Sequence, residues 1–458
     1  MAKTPSRPKL LDSQARREAG FQLRSKVSRS VQGEWQPDND RSDPVTLIEL
    51  SNHGRLKQLI PIRHDRMRQS PLAFFRGSAC IMAADLAKTS VTDVKVPACG
   101  DCHLQNFGWF ATPERNLAFD ITDFDESLEA PWEWDIKRLV TSFAIAAAEL
   151  KEPTSEGKRR EAALTAARSY RKRLAEFAEM PTLPTWLFRI DASLLIQRAT
   201  TPAARKAYQQ IVKKARQQTG EQLLSKLTEP TKSSLRFRDK GLQVFHALQP
   251  RKHEALIEDF LHHYSDSLQE DRRKLFRRFR LVDTAFKVVG VGSVGLRCEV
   301  ALLLDADKAP LILQIKEARP SVLEPFVGPS PHDHQGHRIV HGQRQIQSAS
   351  DLFLGWGRGQ DNRDYYVRQL RDMKISVDAR KMSFAELLDH ARLCGWALAR
   401  ANAKAGRAAE ISGYLGESDK FDEAAADFAF RYAAQNQSDF AAFKRAIKAG
   451  RLPVTKEK

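Results

Sequence analysis

An aspartate and an asparagine stand five positions apart in Gly100-Asp101-Cys102-His103-Leu104-Gln105-Asn106, and the acidic run Asp123-Phe124-Asp125 follows. Phosphoryl transfer needs this set of groups. One carboxylate receives the proton of an attacking hydroxyl, an amide oxygen holds a divalent cation, and a strand-terminal carboxylate holds the metal that bridges the phosphates. Asp101 suits the first role, with His103 as a secondary catalytic candidate. Asn106 and Asp123 suit the metal, with Asp125 as a further ligand. Such acids also cap turns. Asp120, Asp123, Asp125 and Glu126 are dense for that purpose, because packed like charges repel unless a cation or a base shares them.

A second constellation lies nearly two hundred residues downstream. Gly290-Val291-Gly292-Ser293-Val294-Gly295 fits the G-x-G-x-x-G pattern, which opens a helix in dinucleotide-binding folds but forms a hairpin tip over ATP phosphates in kinases. The residues that follow, Cys298 to Leu304, are β-like, so the hairpin is expected, with Gly290, Gly292, Ser293 and Gly295 as phosphate contacts. Leu311 to Lys316 reads as the next strand, with Lys316 facing away from Leu313 and Ile315 and able to reach a nucleotide's phosphates. A lysine that merely protects a sheet edge is the plain alternative. Glu324 is the better candidate for its acid partner, since the adjacent Glu317 faces the other way.

Cys99-x-x-Cys102-His103 also spells a haem-attachment pattern, which belongs to exported proteins and is rejected here for want of an export signal. Zinc would lack a fourth ligand unless Cys80 or a distant histidine supplied it. Five scattered cysteines fit reduced thiols, and a cytoplasmic location is expected.

Several elements must position these groups. Residues 1–60 are polar and broken by prolines, and are expected to form a loosely packed extension. Residues 61–150 hold the catalytic loop: a helix over 71–88 opened by Ser70-Pro71, an extended piece at Val94 to Pro97, a strand at Leu117 to Thr122, and a helix over 132–150 that packs beneath the loop. Residues 151–280 read as helical and basic, without a motif. Residues 281–375 are β-rich and include a further strand at Tyr365 to Leu370, and residues 376–458 form C-terminal helices. The net charge of +17 raises nucleic acid as a partner, but acids are interspersed among the bases, so solvated helix faces are favoured. No apolar stretch is long enough for a membrane span.

The chain resembles a bacterial family catalogued as domain of unknown function 2252. The resemblance rests on Arg66-Met67-x-x-Ser70-Pro71-x-x-Phe74-Phe75-Arg76-Gly77, Cys99-Gly100-Asp101-x-His103-Leu104-x-Asn106-Phe107-Gly108 and Phe119-Asp120-x-x-Asp123-Phe124-Asp125-Glu126, and later on Gln314-x-Lys316-Glu317-Ala318 and Arg368-Gln369-Leu370-Arg371-Asp372. Its first half is also similar to the aminoglycoside and choline phosphotransferases, with Cys99 where those carry histidine. That likeness implies that Asp135 braces the catalytic loop. The expectation is an α+β, protein-kinase-like two-lobed fold with large helical content. Its order is circularly permuted, since the glycine loop and Lys316 follow Asp101 rather than precede it. ATP and Mg²⁺ are the expected cofactors of a phosphotransferase with an unidentified substrate. A nucleotide sensor without turnover and a basic nucleic-acid scaffold are the alternatives.

Overall fold

The helix Trp132–Ala148 is the axis of the protein, with every residue from Trp132 to Ala147 buried. Its apolar side, Ile136, Leu139, Val140 and Phe143, is fully sequestered. Helices Glu156–Ala178, Phe384–Lys404 and Lys420–Lys448 pack around it. The computed structural model describes residues 12–199, 202–216, 220–231, 234–288, 290–370, 375–376 and 378–455, and the fold is mixed α+β. Residues 1–11, Val289, and Arg371 and Asp372 of the motifs above lie outside the described residues.

The axis helix also carries four buried charged side chains, and three of them brace neighbouring segments. Glu133 accepts from Thr92 N and Oγ1, Asp135 from Cys99 N and Gly100 N, and Arg138 donates to Asp101 and to Phe75 O. A buried charge survives only with such partners, so these residues specify where the surrounding loops sit. The fourth, Lys137, lies over the Phe428 ring at 4.9 Å.

Against this helical body lies a six-stranded antiparallel sheet, in the order Gly355–Arg358, Asp364–Gln369, Pro310–Ala318, Cys298–Leu304, Arg280–Lys287, Val244–Phe245. Strand alternation assigns its faces. Leu311, Leu313 and Ile315 point to a core shared with the helix Pro250–Tyr264, while Gln314 and Lys316 point the opposite way, towards the loop that carries Asn106. A smaller sheet of Phe107–Ala111, Leu117–Ile121 and Ile375–Ser376 carries that loop.

Two expectations need correction. Residues 12–60 are well packed rather than loose: helix Ser13–Lys26 lies on helix Ala408–Leu415 and Trp35 is buried. Polar composition concealed this, because arginines do the joining. Arg24 donates to Gly413 O and Tyr414 O, and Arg29 to Leu415 O, so cations satisfy the orphan carbonyls at a helix C-terminus. The single helix expected over 71–88 is two, Pro71–Gly77 and Ala79–Leu86. The break at Gly77 lets Arg63 reach the Gly77 carbonyl at 2.8 Å. Residues 151–280 are mostly helical as expected, and among the described residues they also carry short strands at Thr228–Pro230, Leu235–Phe237 and Val244–Phe245, the last of which extends the main sheet. Among the described residues no helix is long and apolar enough to cross a membrane.

Candidate functional site

Gly100 has φ of +77°, a conformation that glycine adopts without strain, and it turns two backbone N–H groups onto one carboxylate. Cys99 N and Gly100 N donate to Asp135 at 2.7 and 3.0 Å. Asp135 sits in the first turn of the axis helix, where the helix dipole favours a negative charge. The brace implied by resemblance is therefore present. One turn on, Arg138 donates Nε and Nη2 to Asp101 Oδ1 at 2.8 and 2.5 Å. Asp101 Oδ2 is left towards the cavity, 3.8 Å from His103 Nε2. Burial raises the Asp101 carboxyl to about 6 against the opposing pull of Arg138. Burial also holds the His103 imidazole neutral, with Nδ1 accepting from Gln105 N.

Asn106 closes the loop on itself. Its Nδ2 donates to Asp101 O at 2.8 Å, and its own carbonyl accepts from Thr122 N at 2.8 Å, which sets Asp123 beside the loop. Cys99 and Cys102 are free buried thiols.

The glycine segment is the expected hairpin tip between antiparallel strands Arg280–Lys287 and Cys298–Leu304. It bends onto the helical body, where Arg55 donates to Val294 O and Arg66 to Gly290 O, each at 2.6 Å, and Leu56 N donates to Gly295 O at 2.8 Å. Gly292 packs against the Arg76 carbonyl, to which an added Cβ would approach within 3.5 Å. Gly290, Gly292 and Ser293 line the site, while Gly295 lies at the base of the loop and lines neither cavity.

Lys316 reaches the side of the Asp101–Asn106 loop. Its ammonium pairs with Asp125 Oδ2, Ser293 Oγ donates to the same oxygen at 3.3 Å, and Tyr366 donates to Asp125 Oδ1 at 2.7 Å. Burial opposes both charges, yet the pair prevails: Asp125 is held below its ordinary range and Lys316 above its own. Glu324 is not the partner, since it caps Ser321 N and lies near Arg338. Asp125 Oδ2 thus anchors Lys316, while Oδ1 is held by Tyr366.

Two adjoining cavities, of about 160 and 460 Å³, meet at Arg76, Asn106, Asp123, Gly290 and Ser293. Asp101, His103 and Asp125 line the smaller one and Lys316 the larger. The donor set fits a magnesium ion shared with phosphates. Among the described residues, the Asp123 carboxylate accepts only a long 3.4 Å bond from Asp125 N, and Asn106 spends its Nδ2 and not its Oδ1 on the loop. Among the described residues no three acids, histidines or cysteines form a metal cage. Mg²⁺ needs none when substrate and water complete its shell. The Arg76 guanidinium lines both cavities, and among the described residues its buried Nε has no partner. Arg76 went unassigned on sequence grounds. Its position in Phe74-Phe75-Arg76-Gly77 was the one signal, and a basic residue at the end of an apolar helix carries no spacing rule.

Fold and site together define an α+β protein with a buried acidic loop facing a glycine hairpin and a lysine strand. The chain belongs to the family described as "Uncharacterized protein conserved in bacteria (DUF2252)", whose model matches residues 55–446. Comparison with curated proteins and with solved structures returned no match.

Proposed function

We propose that the protein is a Mg²⁺- and ATP-dependent phosphotransferase with a kinase-like, circularly permuted arrangement. One observation carries the reading: Asn106 and Asp123 from the first third of the chain, and Gly290 and Ser293 from its second half, line the junction of the two cavities. A permutation moves chain ends without moving a site.

The larger cavity takes the nucleotide, under Gln314, Lys316 and Arg368. Asn106 and Asp123 hold the magnesium ion, and bound Mg-ATP supplies the γ-phosphoryl group. The glycine hairpin covers the phosphates, and Arg76 offers a guanidinium to the charge that develops on the transferred group. On the other side, Asp101 Oδ2 takes the proton of the acceptor hydroxyl, while Arg138 fixes the carboxylate and Asp135 fixes the loop. A carboxyl raised to about 6 is ionised at neutral pH and more basic than an ordinary aspartate, which suits a general base.

A second reading, a nucleotide sensor without turnover, is favoured by the Lys316–Asp125 pair. A lysine already neutralised must release its acid before it meets a phosphate. Slow ATP hydrolysis separates the two: the enzyme reading expects a basal rate that Asp101→Asn lowers by about 10²-fold or more. Binding of ATP with a rate unchanged by that substitution refutes Asp101 as the base.

A further inference from the structure

Three guanidinium groups line the smaller cavity, and among the described residues each is bonded only to neutral oxygens. Arg55 Nε and Arg319 Nη1 both donate to Ser51 O, at 2.9 and 3.4 Å, and Arg55 Nη1 donates to Val294 O. Arg63 donates to Asn52 Oδ1 at 2.6 Å and to Gly77 O at 2.8 Å. It is 1% exposed, and its Nε has no partner. Burial pulls both Arg55 and Arg63 below the ordinary guanidinium range, and repulsion from Arg319 adds to it.

The acids of the same cavity do not neutralise them. Glu317 is engaged by Arg297 at 3.2 Å and lies 3.7 Å from Arg363. Glu126 accepts from Val322 N at 2.8 Å, and burial pushes its carboxyl up to about 7. Among the described residues, no carboxylate lies within ion-pair distance of the three arginines. Like charges gathered out of water with no counter-ion are costly, and the flat, forked guanidinium matches phosphate and carboxylate geometry. The same cavity runs on to Asp101, His103 and Asp123.

We infer that the Arg55, Arg63 and Arg319 end of this cavity binds the oxyanion head group, phosphate or carboxylate, of the second substrate, a small compound whose hydroxyl lies towards Asp101. The words "second substrate" rest on the phosphotransferase reading; the anion site does not. A cavity of about 160 Å³ is of a size to admit a compact head group. The basic residues would thereby select the acceptor by charge, at the end of the site opposite the nucleotide.

The test is calorimetric titration of the full chain, in low-salt buffer without nucleotide, with inorganic phosphate and separately with succinate. At least one anion is expected to bind at millimolar concentration or below, and which one tells a phosphoryl from a carboxyl head group. Arg319→Gln, which removes one long bond to Ser51 O, should weaken it tenfold or more. Arg319→Lys should restore part of the loss, and Mg-ATP should still raise the melting temperature of both variants. Failure of both anions to bind overturns the inference, as does binding indifferent to Arg319→Gln or lost instead in Lys316→Ala. Arg319-dependent anion binding without any Mg-ATP response would leave the anion site standing and remove the phosphotransferase reading.

Discussion

Replacing Asp101 by asparagine should stabilise the protein at pH 8 while removing its chemistry. The Asp101 carboxyl is raised from 3.8 to about 6, with burial as the largest cause and Asp123 adding to it, after Arg138 and Arg76 have pulled the other way. A raised carboxyl binds its proton more tightly in the folded chain than in the unfolded one. Its contribution to stability is therefore fully present below pH 3.8 and is lost as pH rises through about 6. About two pKa units at 1.36 kcal/mol each put the cost of holding the ionised form at about 3 kcal/mol. Asparagine keeps an oxygen for Arg138 and carries no charge. Asp101→Asn should thus gain about 1–3 kcal/mol over the natural protein at pH 8, a gain that falls to about half by pH 5 and approaches zero only below pH 3.8. Urea denaturation of both proteins at the two pH values measures it. Equal destabilisation at both would refute the reasoning, because it would mean that Arg138 stabilises the ionised carboxylate in full.

Gly100→Ala should cost about 2–4 kcal/mol, since φ is +77° and the new Cβ would lie 2.4 Å from Glu126 O, whereas Gly54→Ala, at φ +75° with open space, should cost about 1 kcal/mol; thermal melts compare them. Arg41→Ala strands two acids that are each 5% exposed, Asp85 and Asp439, and should cost about 3–5 kcal/mol by denaturant titration. Lys316→Met leaves the Asp125 carboxylate without its cation, so its cost, about 3 kcal/mol at pH 8, should fall as the medium is acidified and Asp125 takes up a proton.

How much of this could be read beforehand follows from the range of the interactions. The glycine hairpin was legible because the β-like run Cys298 to Leu304 decides locally between hairpin and helix. The loop from Asp101 to Asn106 and its link to Asp123 were legible for the same reason. Asp135 as the brace came from resemblance alone, since nothing in local spacing ties it to Cys99 and Gly100. The acid opposite Lys316 was not legible: a nearby Glu324 competed with Asp125, which is 191 residues distant and is brought in by the packing of the sheet on the helical body. The packing of residues 12–60 was hidden because its bonds run from arginines to carbonyls, and polar composition reads as exposure. Arg55, Arg63 and Arg319 are single basic residues in unrelated segments, and only the fold makes them a group.

Titration of ATP into the protein with and without Mg²⁺, repeated for Asp123→Ala and Lys316→Ala, tests the central claim most directly. The account predicts one Mg²⁺-dependent site, a melting temperature that rises with ATP, and loss of both responses in the two variants. Absence of any heat or melting shift at millimolar Mg-ATP, or binding that both variants retain in full, would contradict it.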